Sequence, residues 1–233
     1  MAVTTPSVTL IPSSQRHHVK AGWFDSRQSF TGPGNDPFGH LVVHNESIIA
    51  PAAGFPVHGH ENVEIVTWIF SGAMDHADTE GNQTTIFPGL AQRMSAGSGI
   101  LHTEMNPSAT QPSHGVQMWV LPDRRVRPSY AQADVSADLD SGTLIPVASG
   151  SNPDAAVDLH RQDTTLWAAR LAAGAGIEVP DGAQVHVFVP IGAADLEAAG
   201  RLASGDVARL SRAGRRKLVA AADRTEILIW QMG

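Results

Sequence analysis

The chain has 233 residues, a formal net charge of −7, 11 histidines and no cysteine. The acidic balance argues against a protein that binds nucleic acid through general attraction to phosphates. The lack of cysteine excludes disulfides, thiolate nucleophiles and thiolate-ligated metal sites, so a metal site would have to use His, Asp or Glu.

No membrane or export signal is visible in the sequence. Residues 1–19 lack the positively charged start and apolar core of a secretory signal. No apolar run approaches the roughly 18 residues that a membrane-spanning helix needs. We therefore expect a cytoplasmic protein that does not bind a membrane. We also expect a monomer that does not bind nucleic acid directly.

Short apolar runs rich in β-branched residues recur along the chain and predict strands. They cover residues 41–43, 65–70, 116–120, 185–189 and 227–230, with clusters of Gly, Pro, Asn, Asp and Ser between them. Alanine-rich stretches at 193–194, 198–199 and 220–222 are too short to predict long helices. Many short strands separated by turns indicate an all-β fold, either a sandwich or a barrel.

The composition changes after Tyr130, and this change indicates two domains. Residues 131–158 are polar and have the character of a connection, whereas the region beyond them returns to short apolar strands. We predict two β-barrel domains, 1–130 and 131–233. Nine of the 11 histidines lie in the first of them, so the two domains are expected to differ in function.

Two short motifs carry the strongest chemical signal. His58 and His60 are two positions apart, and His102 and Glu104 have the same spacing. Residues i and i+2 of a strand project to the same face, so each motif offers two ligands side by side. On neighbouring strands, three imidazoles and one carboxylate could converge on one ion. Such a set suits Fe(II), Mn, Ni, Cu or Zn and leaves room for water, substrate or oxygen. The alternative is a chance pairing of histidines on an edge strand, but the flanking residues are apolar or turn-forming, which favours burial.

Glu64 follows the first motif at the same strand parity. If the strand continues unbroken from His58 and His60, Glu64 faces the same side as the two histidines. We expect it to orient a ligating imidazole through a hydrogen bond. A fifth metal ligand and a carboxylate facing water at a strand end are the alternatives.

The stretch from Gly54 to Met105 resembles the signature of the pirin family, which belongs to the cupin superfamily. The motifs NDPFGHLVV before it and SHGVQMWV after it do so as well, and GWFDSRQSF near the start resembles the bacterial branch that includes flavonol-cleaving enzymes. The resemblance covers roughly the first 130 residues. Gly59 and Glu61 depart from the proline and arginine common in the family's HPHRG run, which could alter the rim of the pocket.

The resemblance implies two cupin-type jelly-roll barrels in one chain. The first would hold one divalent ion, preferably Fe(II), through His58, His60, His102 and Glu104, and the second, 131–233, would lack metal ligands. Some pirins are described as quercetin 2,3-dioxygenases, so a flavonol and O₂ are the implied substrates, with Glu104 as the candidate base. A regulatory protein that acts through a protein partner and a cupin with another small-molecule substrate are the alternatives.

Other residues of the first domain give weaker signals. Gln117 could reach the pocket, although packing in the core is at least as typical of it. Phe55 and Met94 could form apolar parts of the pocket wall, although an apolar residue near a barrel mouth more often belongs to the plain core. His76 lies between Met74 and Asp78 at strand parity and is expected to be structural or exposed.

Overall fold

The structure is a computed structural model that describes residues 5–30 and 36–233. Its helical part consists of a 3₁₀ turn at Ser13–Gln15 and one short helix, α1, at Ser136–Leu139. Strands make up most of the rest, which confirms the predicted all-β class. Asn35, the first residue of the NDPFGHLVV motif, lies outside the described residues. No helix in the described ranges is long and apolar enough to span a bilayer.

The strands are numbered in chain order. The first twelve are β1 (Ser7–Ile11), β2 (His17–Ala21), β3 (Phe24–Gln28), β4 (Leu41–Ile49), β5 (Gly54–His60), β6 (Glu64–Ser71), β7 (Met74–Asp78), β8 (Gln83–Ile86), β9 (Leu90–Ser95), β10 (Ile100–Met105), β11 (Ser113–Val120) and β12 (Ser129–Asp134). The others are β13 (Ile145–Ser149), β14 (Val157–Asp158), β15 (Thr164–Leu171), β16 (Gly176–Val179), β17 (Gln184–Ile191), β18 (Ala193–Leu196), β19 (Gly200–Ala203), β20 (Asp206–Ser211), β21 (Arg216–Ala220) and β22 (Thr225–Met232).

The chain forms two compact units, and their limits differ from the predicted single boundary at residue 130. One unit comprises residues 17–136 and 156–162, and the other comprises 163–233, 137–155 and the described residues up to 16. β1 pairs with β20, which assigns the N-terminal strand to the second unit, whereas β12 pairs with β9 in the first. Local composition could not reveal these assignments, because they depend on pairing between strands far apart in sequence.

The first unit contains two antiparallel sheets. The larger has the order β12-β9-β6-β11-β4-β3-β2 and the smaller β5-β10-β7-β8. Ile49 and Ile69 of the larger sheet pack with Met74 and Ile86 of the smaller one in a shared apolar core. Burial of apolar side chains between two sheet faces is the main stabilising contribution in such a sandwich.

The second unit repeats this plan with different residues. β1-β20-β17-β22-β15-β13 are successive neighbours in its larger sheet, and β16-β21-β18-β19 form the smaller one. Its core consists of small aliphatic side chains such as Val187, Leu202, Leu218 and Ile229, each fully buried. The apolar runs at 185–189 and 227–230 form parts of β17 and β22, two neighbouring strands in the interior of the larger sheet.

β5 lies at the edge of the smaller sheet of the first unit and pairs with β10. At its start, a Cβ on Gly54 would lie 2.1 Å from the backbone oxygen of Glu104, so only glycine allows this close approach. The register shifts between His102 and Glu104, which leaves an extra residue on β5. Pro56 lies in this bulge, where an edge strand tolerates the missing N–H.

Candidate metal centre

Three of the predicted ligands come from the paired strands β5 and β10. His102 lies directly opposite His58, and His60 lies opposite Ile100, two residues further along the ladder. Opposed residues share a face of the sheet, as do residues i and i+2, so the three imidazoles lie on one side. One ring nitrogen from each lies within 4.8 Å of the other two. The sequence motifs therefore form a group of three histidines that can hold a divalent metal.

The three rings pack closely against one another. The ring centroids of His58 and His102 are 4.3 Å apart, and His60 lies 4.9 Å from the first and 5.0 Å from the second. His102 is buried, whereas His58 and His60 are half-buried. The group is therefore anchored in the fold on one side and accessible on the other.

The donor atoms fit a metal ion. The Nε2 atoms of His60 and His102 are buried and have no hydrogen-bond partner within the described ranges. His58 Nδ1 lies 2.8 Å from the carbonyl oxygen of Pro56, to which it donates, and this leaves the lone pair on Nε2. A buried nitrogen without a partner is unfavourable by about 1–3 kcal/mol, and a bound metal would remove this penalty.

Burial keeps these imidazoles neutral, the form that binds metals. Desolvation, reinforced by the neighbouring His58, lowers the pKa of His60 to about 4. Desolvation also lowers the pKa of His102 to about 3, with further contributions from His58, His60 and His76. Both rings therefore carry free lone pairs at neutral pH.

The metal-free protein is expected to lose stability as the pH falls below 6.5. In the unfolded state, residue 102 has the ordinary histidine pKa of 6.5 and binds a proton below that pH. In the folded state, His102 binds a proton only near pH 3, so protons favour the unfolded state in between. The contribution of His102 thus falls by roughly 2 kcal/mol between pH 7 and pH 5. Buried His186 contributes to the pH dependence over the same range, so the contribution of His102 must be isolated by a variant. The measurement is the free energy of unfolding in urea, with a chelator present, for the parent chain and for His102→Gln. The variant should show the weaker pH dependence, and equal slopes would contradict the assignment.

Glu104 lies on the same face of β10 as His102 and is buried. Gln117 on β11 donates from Nε2 to both carboxylate oxygens, at 2.7 and 2.9 Å. Trp119 Nε1 donates to Gln117 Oε1 at 2.8 Å, which fixes the orientation of the amide. Burial raises the pKa of Glu104, and the hydrogen bonds from Gln117 oppose this only in part. The result is a buried, oriented carboxyl group with raised basicity.

A cavity of about 370 Å³ adjoins the histidines. This volume falls within the roughly 300–1,000 Å³ typical of small-molecule pockets. His58, His60 and Glu104 form part of its lining. Its apolar wall includes Phe24, Ile49, Phe55, Ile69, Met74 and Trp119, and its polar wall includes Gln28, Asn45, Ser47, Thr67, Ser113 and Gln117.

The weaker sequence candidates divide into two groups. Gln117 and Phe55 line the cavity. Met94 does not, since it packs in a separate core cluster with Val63 and Ile65 and is fully buried. An apolar residue on a buried strand gives no sequence signal of which cavity, if any, it borders.

Glu64 lies apart from the cavity lining, because the strand that was assumed to be continuous is interrupted. β5 ends at His60, Asn62 has a φ of 53°, and β6 then starts in the other sheet. The Glu64 carboxylate instead accepts from Ser95 Oγ at 2.8 Å and from the His160 backbone N–H at 3.2 Å. The parity argument does not extend across a left-handed turn that joins two sheets.

His76 and Asp78 contact this centre, which the sequence reasoning missed. Both side chains are fully buried, whereas His76 was expected to be structural or exposed. That expectation did not include a contact with His102, whose Nδ1 lies 3.4 Å from His76 Nδ1. The alternation of Met74, His76 and Asp78 was the available signal, because it places two polar side chains on the buried face of β7.

Comparisons with known proteins point to one family. A family model described as Pirin matches residues 12–120. A protein of Mycobacterium tuberculosis named "Putative quercetin 2,3-dioxygenase Rv0181c" is 43% identical over 98% of this chain and 96% of the relative. An Escherichia coli protein named "Quercetin 2,3-dioxygenase" is 36% identical over 54% of this chain and 57% of the relative.

Solved structures show the same architecture. The bacterial pirin YhhW from Escherichia coli in complex with nickel(II) superposes with a TM-score of 0.88 and 26% identity, covering 97% of this chain and 99% of the other. A quercetin 2,3-dioxygenase from Acinetobacter baumannii superposes with a TM-score of 0.75 at 23% identity, covering 98% and 88%, and this likeness concerns the fold.

Proposed function

This chain belongs to the pirin family, and on that basis we propose that it is a metal-dependent dioxygenase that cleaves flavonols such as quercetin. The observation that carries the proposal is the position of the three histidines beside a cavity of about 370 Å³ with aromatic and aliphatic walls. A flavonol is planar, apolar on its faces and polar at its edges, and the walls of the cavity match this distribution. The names of the relatives support the same substrate class.

The proposed cofactor is one divalent ion held by His58, His60 and His102, with Glu104 as the fourth ligand. Fe(II) is our preferred ion, and Mn, Ni, Cu and Zn suit the same nitrogen and oxygen donors. Nickel(II) in the structure of the related pirin supports a divalent ion as the cofactor of this chain. When bound, the ion would supply Lewis acidity, which lowers the pKa of the flavonol 3-hydroxyl and orients its anion.

The protein's own side chains would position the substrate and remove its proton. Glu104 is the proposed base, because it lines the cavity and because burial raises its pKa. Thr67 Oγ1 and Ser113 Oγ are buried, line the cavity and have no partner among the residues described, so they are available to flavonol hydroxyls. Phe24 and Phe55, whose rings meet edge to face at 5.5 Å, provide an aromatic surface for the flavonol rings.

The reaction is balanced without an external reductant. One flavonol and one O₂ give CO and a ring-opened ester that carries a carboxyl group. The proton that Glu104 takes from the 3-hydroxyl returns to this carboxyl group, so the enzyme is regenerated. For a regulatory protein without turnover, we would instead expect a metal site that is closed to small molecules. The substrate-sized cavity beside His58 and His60 therefore favours the enzymatic proposal.

Metal-loaded protein is expected to bleach the visible absorbance of quercetin in air, and His58→Ala is expected to abolish most of this rate. The alanine side chain has no donor atom to replace the ring nitrogen of His58. The measurement is the initial rate of absorbance loss at equal protein and metal concentrations, with CO detection as confirmation. Equal bleaching by the variant and the parent chain would contradict the proposed role of the centre.

A further inference from the structure

A row of hydrogen bonds leads from His102 away from the cavity. His102 Nδ1 lies 3.4 Å from His76 Nδ1, and His76 Nε2 lies 3.1 Å from Asp78 Oδ2. The strands that carry them pair antiparallel, with His102 opposite Asp78 and Glu104 opposite His76. The side chains of His76 and Asp78 are fully buried. The contact is therefore built into the sheet register and is shielded from water.

The partners of Asp78 fix the direction of the hydrogen bond between His76 and Asp78. Asp78 Oδ1 accepts from the backbone N–H groups of Glu80 and Asn82, both at 3.0 Å. The side-chain Nδ2 of Asn82 donates to both carboxylate oxygens, at 3.0 and 2.9 Å. A carboxylate held by this many N–H donors acts as an acceptor, so His76 must donate its Nε2–H to it.

The remaining hydrogens follow from the chemistry of a neutral imidazole. With its proton on Nε2, His76 has its lone pair on Nδ1 and can only accept there. His102 must then donate its own Nδ1–H to His76. The lone pair of His102 is therefore on Nε2, the buried atom that has no other partner within the ranges described.

We propose that Asp78 and His76 form a relay of positioning residues that holds His102 in the Nδ1–H tautomer and orients its Nε2 toward the metal. Neither residue belongs to the three-histidine group that could hold the ion. The inference rests on the proposed metal centre. A second residue that accepts the free N–H of a ligating histidine typically contributes about 10–100-fold to metal affinity.

The relay differs from plain packing in what it predicts. His76 also stacks against Tyr130 at 5.1 Å between centroids, so a phenylalanine could preserve much of the packing while removing both hydrogen bonds. Gln at position 76 could still donate to Asp78 and accept from His102. In Asp78→Asn, the amide would donate to His76, and His76 would then donate from Nδ1 to His102. This places the proton of His102 on Nε2, the atom needed for the metal.

The first test is the tautomer of His102 in the full-length, metal-free chain, read from its ring nitrogen chemical shifts by NMR. We expect the Nδ1–H form in the parent chain and a shift toward the Nε2–H form in Asp78→Asn and His76→Phe. The Nε2–H form in the parent chain would overturn the relay. This outcome needs no variant to fold and no metal to bind.

The second test is Co(II) affinity by competition with a chelating dye. We expect a loss of about 10–100-fold in His76→Phe and Asp78→Asn and partial rescue in His76→Gln. The matched control is Asp75→Asn on the same strand, whose carboxylate accepts from Thr85 and is only half-buried. Unchanged affinity in folded His76→Phe and Asp78→Asn would overturn the relay while leaving the centre intact. Failure of the parent chain to bind Co(II) would instead overturn the centre.

Discussion

Replacing His60 by alanine is expected to lower the affinity for a divalent metal by roughly 10²-fold or more. A four-ligand zinc site contributes about 10–16 kcal/mol at neutral pH, so one ligand accounts for roughly 3 kcal/mol. His60 is suited to this role, because its Nε2 is buried without a partner in the described chain and its ring packs edge to face against Trp119 at 4.7 Å. The measurement is competition with a chelating dye for Zn(II) or Co(II).

The control for this substitution is His18→Ala. His18 lies on β2, its side chain is 47% exposed, and its Nε2 pairs with Asp25 at 2.8 Å. Removing it deletes an imidazole of the same chain without touching the proposed centre. Affinities lowered equally in the two variants would contradict the assignment of His60.

Glu104→Gln is expected to lower the turnover number for quercetin by about 10²–10⁴-fold, the usual contribution of a positioned base. Glutamine can keep one contact with the Nε2 of Gln117 but cannot accept the substrate proton. Because the substitution also alters a proposed metal ligand, turnover must be measured at saturating metal, with bound metal determined in parallel.

Glu197→Gln is the matched control, because it makes the same change of charge at an exposed residue in the turn after β18, within the second unit. It should retain the turnover of the parent chain. If Glu104→Gln turned over quercetin at the parent rate with metal bound, the proton would have to leave by another route, and the proposed role of Glu104 would be wrong.

The placement of the histidine side chains could be predicted from the sequence because the relevant rule is local. Residues two apart on a strand share a face, and this rule alone placed His58 beside His60 and aligned His102 with Glu104. The rule does not state which strands pair. The pairing of β5 with β10, including the bulge at Pro56, is a property of the folded sheet.

The same local rule was misleading where the strand ended. Glu64 has the right parity, but the left-handed turn at Asn62 moves the chain into the other sheet. Long-range pairing also explains why β1 belongs to the second unit and why the contact of His76 with His102 was missed. Composition could indicate two β units, but it could not assign strands that lie far from their partners in sequence.

The most direct test of the central claim is the metal content of the protein purified without added metal, determined by mass spectrometry for the parent chain, His60→Ala and His18→Ala. The three-histidine centre predicts about one divalent ion per chain in the parent and in His18→Ala. It predicts a strongly reduced content in His60→Ala. An unchanged content in His60→Ala would contradict the centre described here.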